Sequence, residues 1–144
     1  MKPKKTKPKT IAKVVDDTAV LLQKLVRMKA ADDNGYCSCV TCGVTKKWND
    51  GIQGGHFIDR RHLFTKIVEE NIHPQCSYCN SHMSNQGIVK GRYTIYMQDM
   101  YGFDFVADLL DTKGQTVKYY KTQVLETMED FKAQIKIEEE RLGC

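Results

Sequence analysis

Four cysteines in two Cys-x-x-Cys pairs, Cys39 with Cys42 and Cys76 with Cys79, have the spacing of a tetrahedral thiolate site for zinc. Four thiolates close the coordination sphere and leave no position for water, so a zinc there is structural and catalysis has to come from other side chains. Gly54-Gly55-His56-Phe57 and Glu70-Asn71-Ile72-His73 lie between the pairs, and Asn80 follows the last cysteine directly. His56 is the candidate base, because a neutral imidazole near pH 7 can activate water. The two glycines before it let other groups come close to its backbone. Asn71 can hold that imidazole, or its loop, by hydrogen bonds. Asn80 offers an amide oxygen, a hard ligand suited to a weakly held Mg²⁺ or Mn²⁺ that keeps most of its waters. His82 is either a second ligand for that ion or a neighbour of the zinc; His62 and His73 read as structural or phosphate-adjacent. Each residue alone has a plain reading as a packing or turn residue. The combination of His on a hairpin, Asn before the second pair and Asn directly after it favours a functional site over three unrelated packing residues.

These residues need elements to hold them. Thirty-three residues separate Cys42 from Cys76, more than the roughly 15–20 of a simple four-cysteine ribbon, so the intervening chain has structure of its own. The predicted fold is small α+β. A treble-clef zinc site takes two ligands from a knuckle, in the hairpin Tyr36–Trp48, and two from the start of a helix at Cys76. A strand within Gly51–Ile58 bears His56, so that hairpin and helix pack as a ββα unit around a second site. Gly43 after Cys42 suits the tight knuckle turn. Cys37, on the same side of a strand as Cys39, is an alternative ligand. Helices flank this core. One spans about 16–31, with Asp16 and Asp17 at its start and Leu21, Leu25 and Met28 inward. Others run within 93–142, with Gly87 and Gly91 read as a loop before them. In the last, from about Val117, the stripe Val124, Met128, Phe131, Ile135 is either core or a two-chain seam.

Composition narrows the class. The chain has 144 residues and a formal net charge of +4, which predicts one domain over 14–144 behind a basic tail, 1–13. Six lysines and no acid fall in that tail, so the rest carries a net −2 and any nucleic-acid surface has to be a local patch, with Lys4 and Lys5 of the tail as further phosphate contacts. Arg60, Arg61 and Arg92 are the candidate phosphate clamps. No run is apolar enough for a bilayer, and no signal-peptide region follows Met1. The expectation is a soluble intracellular protein with reduced cysteines.

The set Gly35-Tyr36-Cys37-Ser38-Cys39-Val40-Thr41-Cys42-Gly43, Gly55-His56-Phe57-Ile58-Asp59-Arg60, Glu70-Asn71-Ile72-His73-Pro74-Gln75-Cys76, Cys79-Asn80 and Tyr101-Gly102 resembles the NinG/Rap family of phage recombination nucleases. His56, Asn71 and Asn80 fall where the wider HNH, or His-Me finger, nucleases carry their motif. The resemblance, over roughly residues 16–110, implies a phage-encoded endonuclease with a ββα-metal core like that of phage resolvases. Its substrates would be branched DNA such as Holliday junctions and D-loops, its products 5′-phosphate and 3′-hydroxyl ends, and its place the host cytoplasm. Cleaving a four-way junction symmetrically would take two sites, hence a possible homodimer. Two departures stand out. Gly55 stands where many members have an acidic metal ligand, and Met83 stands near the place of a common lysine. The competing reading is a non-catalytic zinc-finger module that binds DNA or a recombination protein; a sequence-specific homing or restriction nuclease is a third.

Overall fold

Thr10 starts the first helix, its Oγ1 accepting from the Lys13 N–H at 3.2 Å. In a computed structural model describing residues 1–144, that helix, α1, runs over Ile11–Ala30. It buries Val14, Val15, Leu22, Leu25 and Met28. The last helix, α5 (Lys121–Leu142), buries Val124, Met128, Phe131 and Ile135 and packs along α1. Each such side chain removed from water contributes about 1.5–3 kcal/mol, so this helix pair is the frame on which the rest is mounted.

Two antiparallel hairpins follow α1. The first joins β1 (Tyr36–Ser38) and β2 (Thr45–Lys47) and carries the knuckle in its turn. The second joins β3 (Ile52–His56) and β4 (Ile72–Cys76). Its register sets His56 opposite Ile72, Gly55 opposite His73 and Ile52 opposite Cys76. The long connection between them, residues 57–71, contains two 3₁₀ turns, Leu63–Thr65 and Glu69–Asn71. β4 runs straight into the short helix α2 (Ser77–Ser81). Next come α3 (Gly87–Tyr101) and α4 (Phe103–Asp111), which with Phe57 and Ile58 enclose a second core of Tyr93, Met97, Val106 and Leu109.

The β3–β4 hairpin is thus held from both faces, and its two glycines are steric requirements. A Cβ on Gly54 would come within 2.7 Å of the α1 backbone at Gln23. A Cβ on Gly55 would lie 1.8 Å from Oε1 of the fully buried Gln75. The close approach expected at these glycines is made by the chain itself.

Several expected boundaries are corrected. α1 begins five residues before Asp16, so Asp16 and Asp17 lie inside it. There they pair with Lys66, and with Lys9 and Lys13. Lys13, placed in the tail, is helical. Gly87 and Gly91 belong to α3 rather than to a loop, and α5 begins at Lys121 rather than Val117. No helix is long and apolar enough to cross a membrane.

Candidate functional site

The cysteine cluster is built by local turns. Gly43 takes a φ of +78°, donates its N–H to Cys39 O at 2.9 Å, and so folds Cys42 back beside Cys39. The knuckle is tied to β4 by the Val40 N–H on Pro74 O, 3.0 Å. Cys76 caps α2, its Sγ accepting from the Cys79 N–H at 3.4 Å. The Sγ atoms of Cys39, Cys42, Cys76 and Cys79 all lie within 4.8 Å of one another, and those of Cys42 and Cys76 are 3.7 Å apart. Zn–S bonds of about 2.3 Å in a tetrahedron set the sulfurs about 3.8 Å apart, so the four residues fit zinc and no other group of the chain does so. Burial alone would raise Cys39, but the Thr41 hydroxyl and the surrounding backbone N–H groups outweigh it and bring the thiol down to about 6. Burial pushes Cys79 up to about 12. Cys37 is buried outside the cluster, against Ala31 and Ile52.

His56 closes β3 on the other side of the hairpin. Its Nε2 lies 3.0 Å from Lys66 O. A carbonyl only accepts, so Nε2 carries the proton and Nδ1 keeps its lone pair. Nδ1 has no partner in the chain, and the imidazole lines an open groove. Burial lowers the ring to about 4, which keeps it neutral. Asn71 organises the loop that supplies Lys66. Its Oδ1 accepts from Ile58 N–H at 2.8 Å, and its Nδ2 donates to Ile58 O and Thr65 O. Behind the strand, Tyr93 donates its hydroxyl proton to Gly55 O at 2.7 Å. His73 must therefore donate from Nδ1 to the Tyr93 oxygen, 3.1 Å, and accept at Nε2 from the Tyr101 hydroxyl, 2.8 Å.

The groove, about 650 Å³, is walled by Gln23 and Arg27 of α1 on one side and by Asn80, Met83, Ser84 and Lys90 on the other, with Gln53, Gly54 and His56 along its floor. Asp59, Arg60, Arg61 and Lys113 complete it, giving five cations against one carboxylate. Asn80 donates Nδ2 to Gln53 Oε1 at 2.8 Å, which leaves its own Oδ1 free. The Arg61 backbone N–H on Asp59 Oδ1 holds that carboxyl below the usual carboxylate range, against the opposing effect of burial.

The family model for the bacteriophage lambda NinG protein matches residues 1–140. The chain belongs to the NinG family. That membership makes it a phage recombination-related protein. No curated protein and no solved structure matches the chain.

In this NinG-family chain the structure brings His56, Asn80, Arg60 and Arg61 to one groove, with Asn71 buried directly behind it. Other expected residues are elsewhere. His82 turns away, its Nδ1 on Tyr78 O at 2.7 Å and its ring stacked on Tyr78. Arg92 is exposed on α3 and does not line the groove; Lys4 and Lys5 are exposed in the tail before α1. His73 is a buried tie between two tyrosines, and His62 caps a 3₁₀ turn. The sequence does not assign Gln53, Lys90 and Lys113 to the site, and for Arg27, as for Lys24, it leaves a solvated face and a DNA-facing one open, with the solvated face preferred. Gln23 and Arg27 are one helical turn apart, so a wall on one brings in the other. Lys90 was hidden by reading Gly87 and Gly91 as a loop.

Proposed function

We propose that this protein is a metal-dependent endonuclease of the HNH type that hydrolyses phosphodiester bonds in branched DNA recombination intermediates. The observation that carries this reading is His56: Nε2–H fixed on a backbone carbonyl, Nδ1 free, in a groove lined by cations. The order β3, β4, α2 around that groove supports a ββα core, and the family supports the recombination context.

Each residue then has a role. His56 Nδ1 takes a proton from a water aimed at the scissile phosphorus. Asn71, by fixing residues 58–66, keeps the Lys66 carbonyl on Nε2 and so keeps the base in its working tautomer. Arg60 and Arg61 hold phosphate oxygens. Asn80 Oδ1 would hold a Mg²⁺ or Mn²⁺; Asp59 is the groove's one carboxylate, and its Oδ1 is taken by Arg61. Mg²⁺ is commonly held by one or two carboxylates plus the substrate's own phosphate, so Asn80 alone does not complete such a site. When bound, the ion supplies positive charge for the leaving oxygen. A side chain at the Gly55 position would have to displace the buried Gln75 side chain, whose Oε1 lies where its Cβ would be. Cys39, Cys42, Cys76 and Cys79 would hold a structural zinc that fixes β4 and α2.

The test is a nicking assay on junction, flap and linear duplex DNA with Mg²⁺ added to zinc-loaded protein. His56→Ala should keep its zinc and lose roughly 10²–10⁴-fold in rate. Unchanged cleavage by a folded, zinc-loaded His56→Ala protein sinks the assignment. The scarcity of carboxylates in the groove favours one alternative, a module that binds branched DNA without cutting it; tight junction binding with no product on any substrate would establish that reading instead. A homodimer remains part of the proposal, but the α5 stripe is spent on α1, so it would use another face.

A further inference from the structure

Four basic side chains of the chain are half-buried: Lys24, Arg27, Lys66 and Lys90. Lys24 is paired with Glu139 and Lys66 with Asp16. Arg27 and Lys90 form no ion pair, and both line the groove beside His56, one from α1 and the other from α3. Withdrawing a charge from water without a counter-charge is unfavourable. The groove's one carboxylate, Asp59, is bonded by Arg61 and reaches Lys90 only through space, so two cations without an ion pair mark the place of an anion that the chain itself does not provide.

We propose that Arg27 and Lys90 are the two jaws of a phosphate clamp that grips the sugar–phosphate backbone of the strand presented to His56. The clamp rests on the nucleic-acid reading of the groove, though not on cleavage. Arg27 is pre-set for it. Its Nε–H donates to Gln23 O at 3.0 Å, and Nη1 donates to Trp48 O at 3.4 Å and to Ile52 O at 3.2 Å. Three of its five donors are thus spent on orientation, with the Trp48 ring 5.8 Å from the guanidinium carbon. Nη2 keeps both N–H groups, and no chain atom takes them. A guanidinium held this way loses little freedom on meeting phosphate oxygens. Lys90 is likewise tethered, its ammonium 3.3 Å from Phe57 O and 5.4 Å from that ring's centroid. Arg60, Arg61 and Lys113 extend the positive lining, which suits a polymer with one charge per unit better than a single anion.

The clamp is tested by equilibrium binding of labelled duplex and four-way-junction DNA to the zinc-loaded protein with Ca²⁺ in place of Mg²⁺, over a salt series. Arg27→Gln and Lys90→Gln should each lower affinity about tenfold and make the slope of log affinity against log salt shallower by about 1, the double variant by about 2. Lys136→Gln, exposed on α5, should change neither. Zinc content and melting temperature certify folding; if Arg27→Gln does not fold, Lys90→Gln decides. Wild-type affinity and slope in a folded Arg27→Gln or Lys90→Gln protein overturn the clamp, as does a wild-type protein that binds neither DNA at low salt. Clamp-dependent binding without cleavage in Mg²⁺ upholds the clamp and overturns the nuclease reading.

Discussion

The cysteine cluster and the groove hang on the same hairpin, and they are finished to different degrees. In the cluster the chain supplies all four ligand atoms and converges them within 4.8 Å. In the groove the chain stops short. His56 Nδ1, Asn80 Oδ1 and Arg27 Nη2 are each positioned by a bond made at a neighbouring atom and left without a partner of their own. A site whose ligands are complete can only hold its ion, whereas one with oriented, unspent atoms can bind a substrate and act on it. On the proposed reading the first region serves stability and the second chemistry, and that contrast can be broken experimentally from either end.

The largest expected effect is on the cluster side. Structural zinc binds finger peptides with an apparent ~10–16 kcal/mol, which is folding free energy. Cys79→Ser, which removes a ligand from the start of α2, should abolish cooperative melting of the β3–β4–α2 region, read by circular dichroism and by metal content. His56→Ala should leave zinc stoichiometry and cooperativity in place. A Cys79→Ser protein that carries no zinc and still melts at the wild-type temperature would erase the distinction.

The next effect is on pH dependence and involves the groove side. Burial lowers His56 and His73 to about 4 from the ordinary 6.5. The folded state thus prefers both rings neutral, while the unfolded chain binds protons below about 6.5. Stability from these rings is therefore complete above that pH and is lost as pH falls toward 4, by up to roughly 3 kcal/mol for each ring. Urea midpoints at pH 7 and pH 5 check this. The same shift predicts that single-turnover cleavage does not fall as pH drops through 6.5 while the protein stays folded, since Nδ1 stays unprotonated. A rate loss centred on 6.5 would mean that His56 is solvated when DNA is bound.

How much of this was legible in the sequence follows from the range of each cause. The four cysteines and the Gly43 turn are local, so their spacing was enough. The residue types of His56, Asn71 and Asn80 single them out as candidates before any contact is known; of the two partners open to Asn71, the imidazole or its loop, its hydrogen bonds go to the loop. Thr10 as the start of α1 is not legible because Asp16 and Asp17 look like a first turn; the pairing of Asp16 with distant Lys66, and of Asp17 with Lys9 and Lys13, explains them better. Gly87 and Gly91 looked like a loop because helix propensity is a weak prior, overridden here by the burial of Val89, Tyr93 and Met97. Arg27 and Lys90 could not be joined from sequence at all, since the groove exists only where α1 and α3 meet across β3.

Gly55 sharpens the comparison at the one position that touches both regions. A side chain there meets Gln75, which donates toward the Thr41 hydroxyl at 3.5 Å; that hydroxyl sits 3.1 Å from Cys39 Sγ. Gly55→Asp should therefore not improve metal binding in the groove. It should cost about 1–3 kcal/mol through overpacking and disturb zinc retention, measured by melting and by zinc release to a chromogenic chelator. Stronger Mg²⁺-dependent cleavage in Gly55→Asp would show that Gln75 yields and that the acid's absence has another cause.

The smallest expected effect tests whether the two regions are independent. Tyr101→Phe removes the hydroxyl that His73 Nε2 accepts from, and leaves Tyr93 on Gly55 O untouched. A buried acceptor left unpaired costs about 1–3 kcal/mol, and the low end is expected because Tyr101 is only half-buried and water can reach the vacated place. The cleavage rate should barely move, since the carbonyl next to His56 keeps its partner. Tyr93→Phe, by contrast, takes the second donor from that carbonyl, which keeps only its ladder bond to the His73 N–H, and leaves His73 Nδ1–H without an acceptor, so it should lower both stability and rate. If Tyr101→Phe slows cleavage about tenfold with stability unchanged, the tyrosine–histidine chain behind the hairpin sets the position of His56, and the packed side of the sheet belongs to the catalytic apparatus.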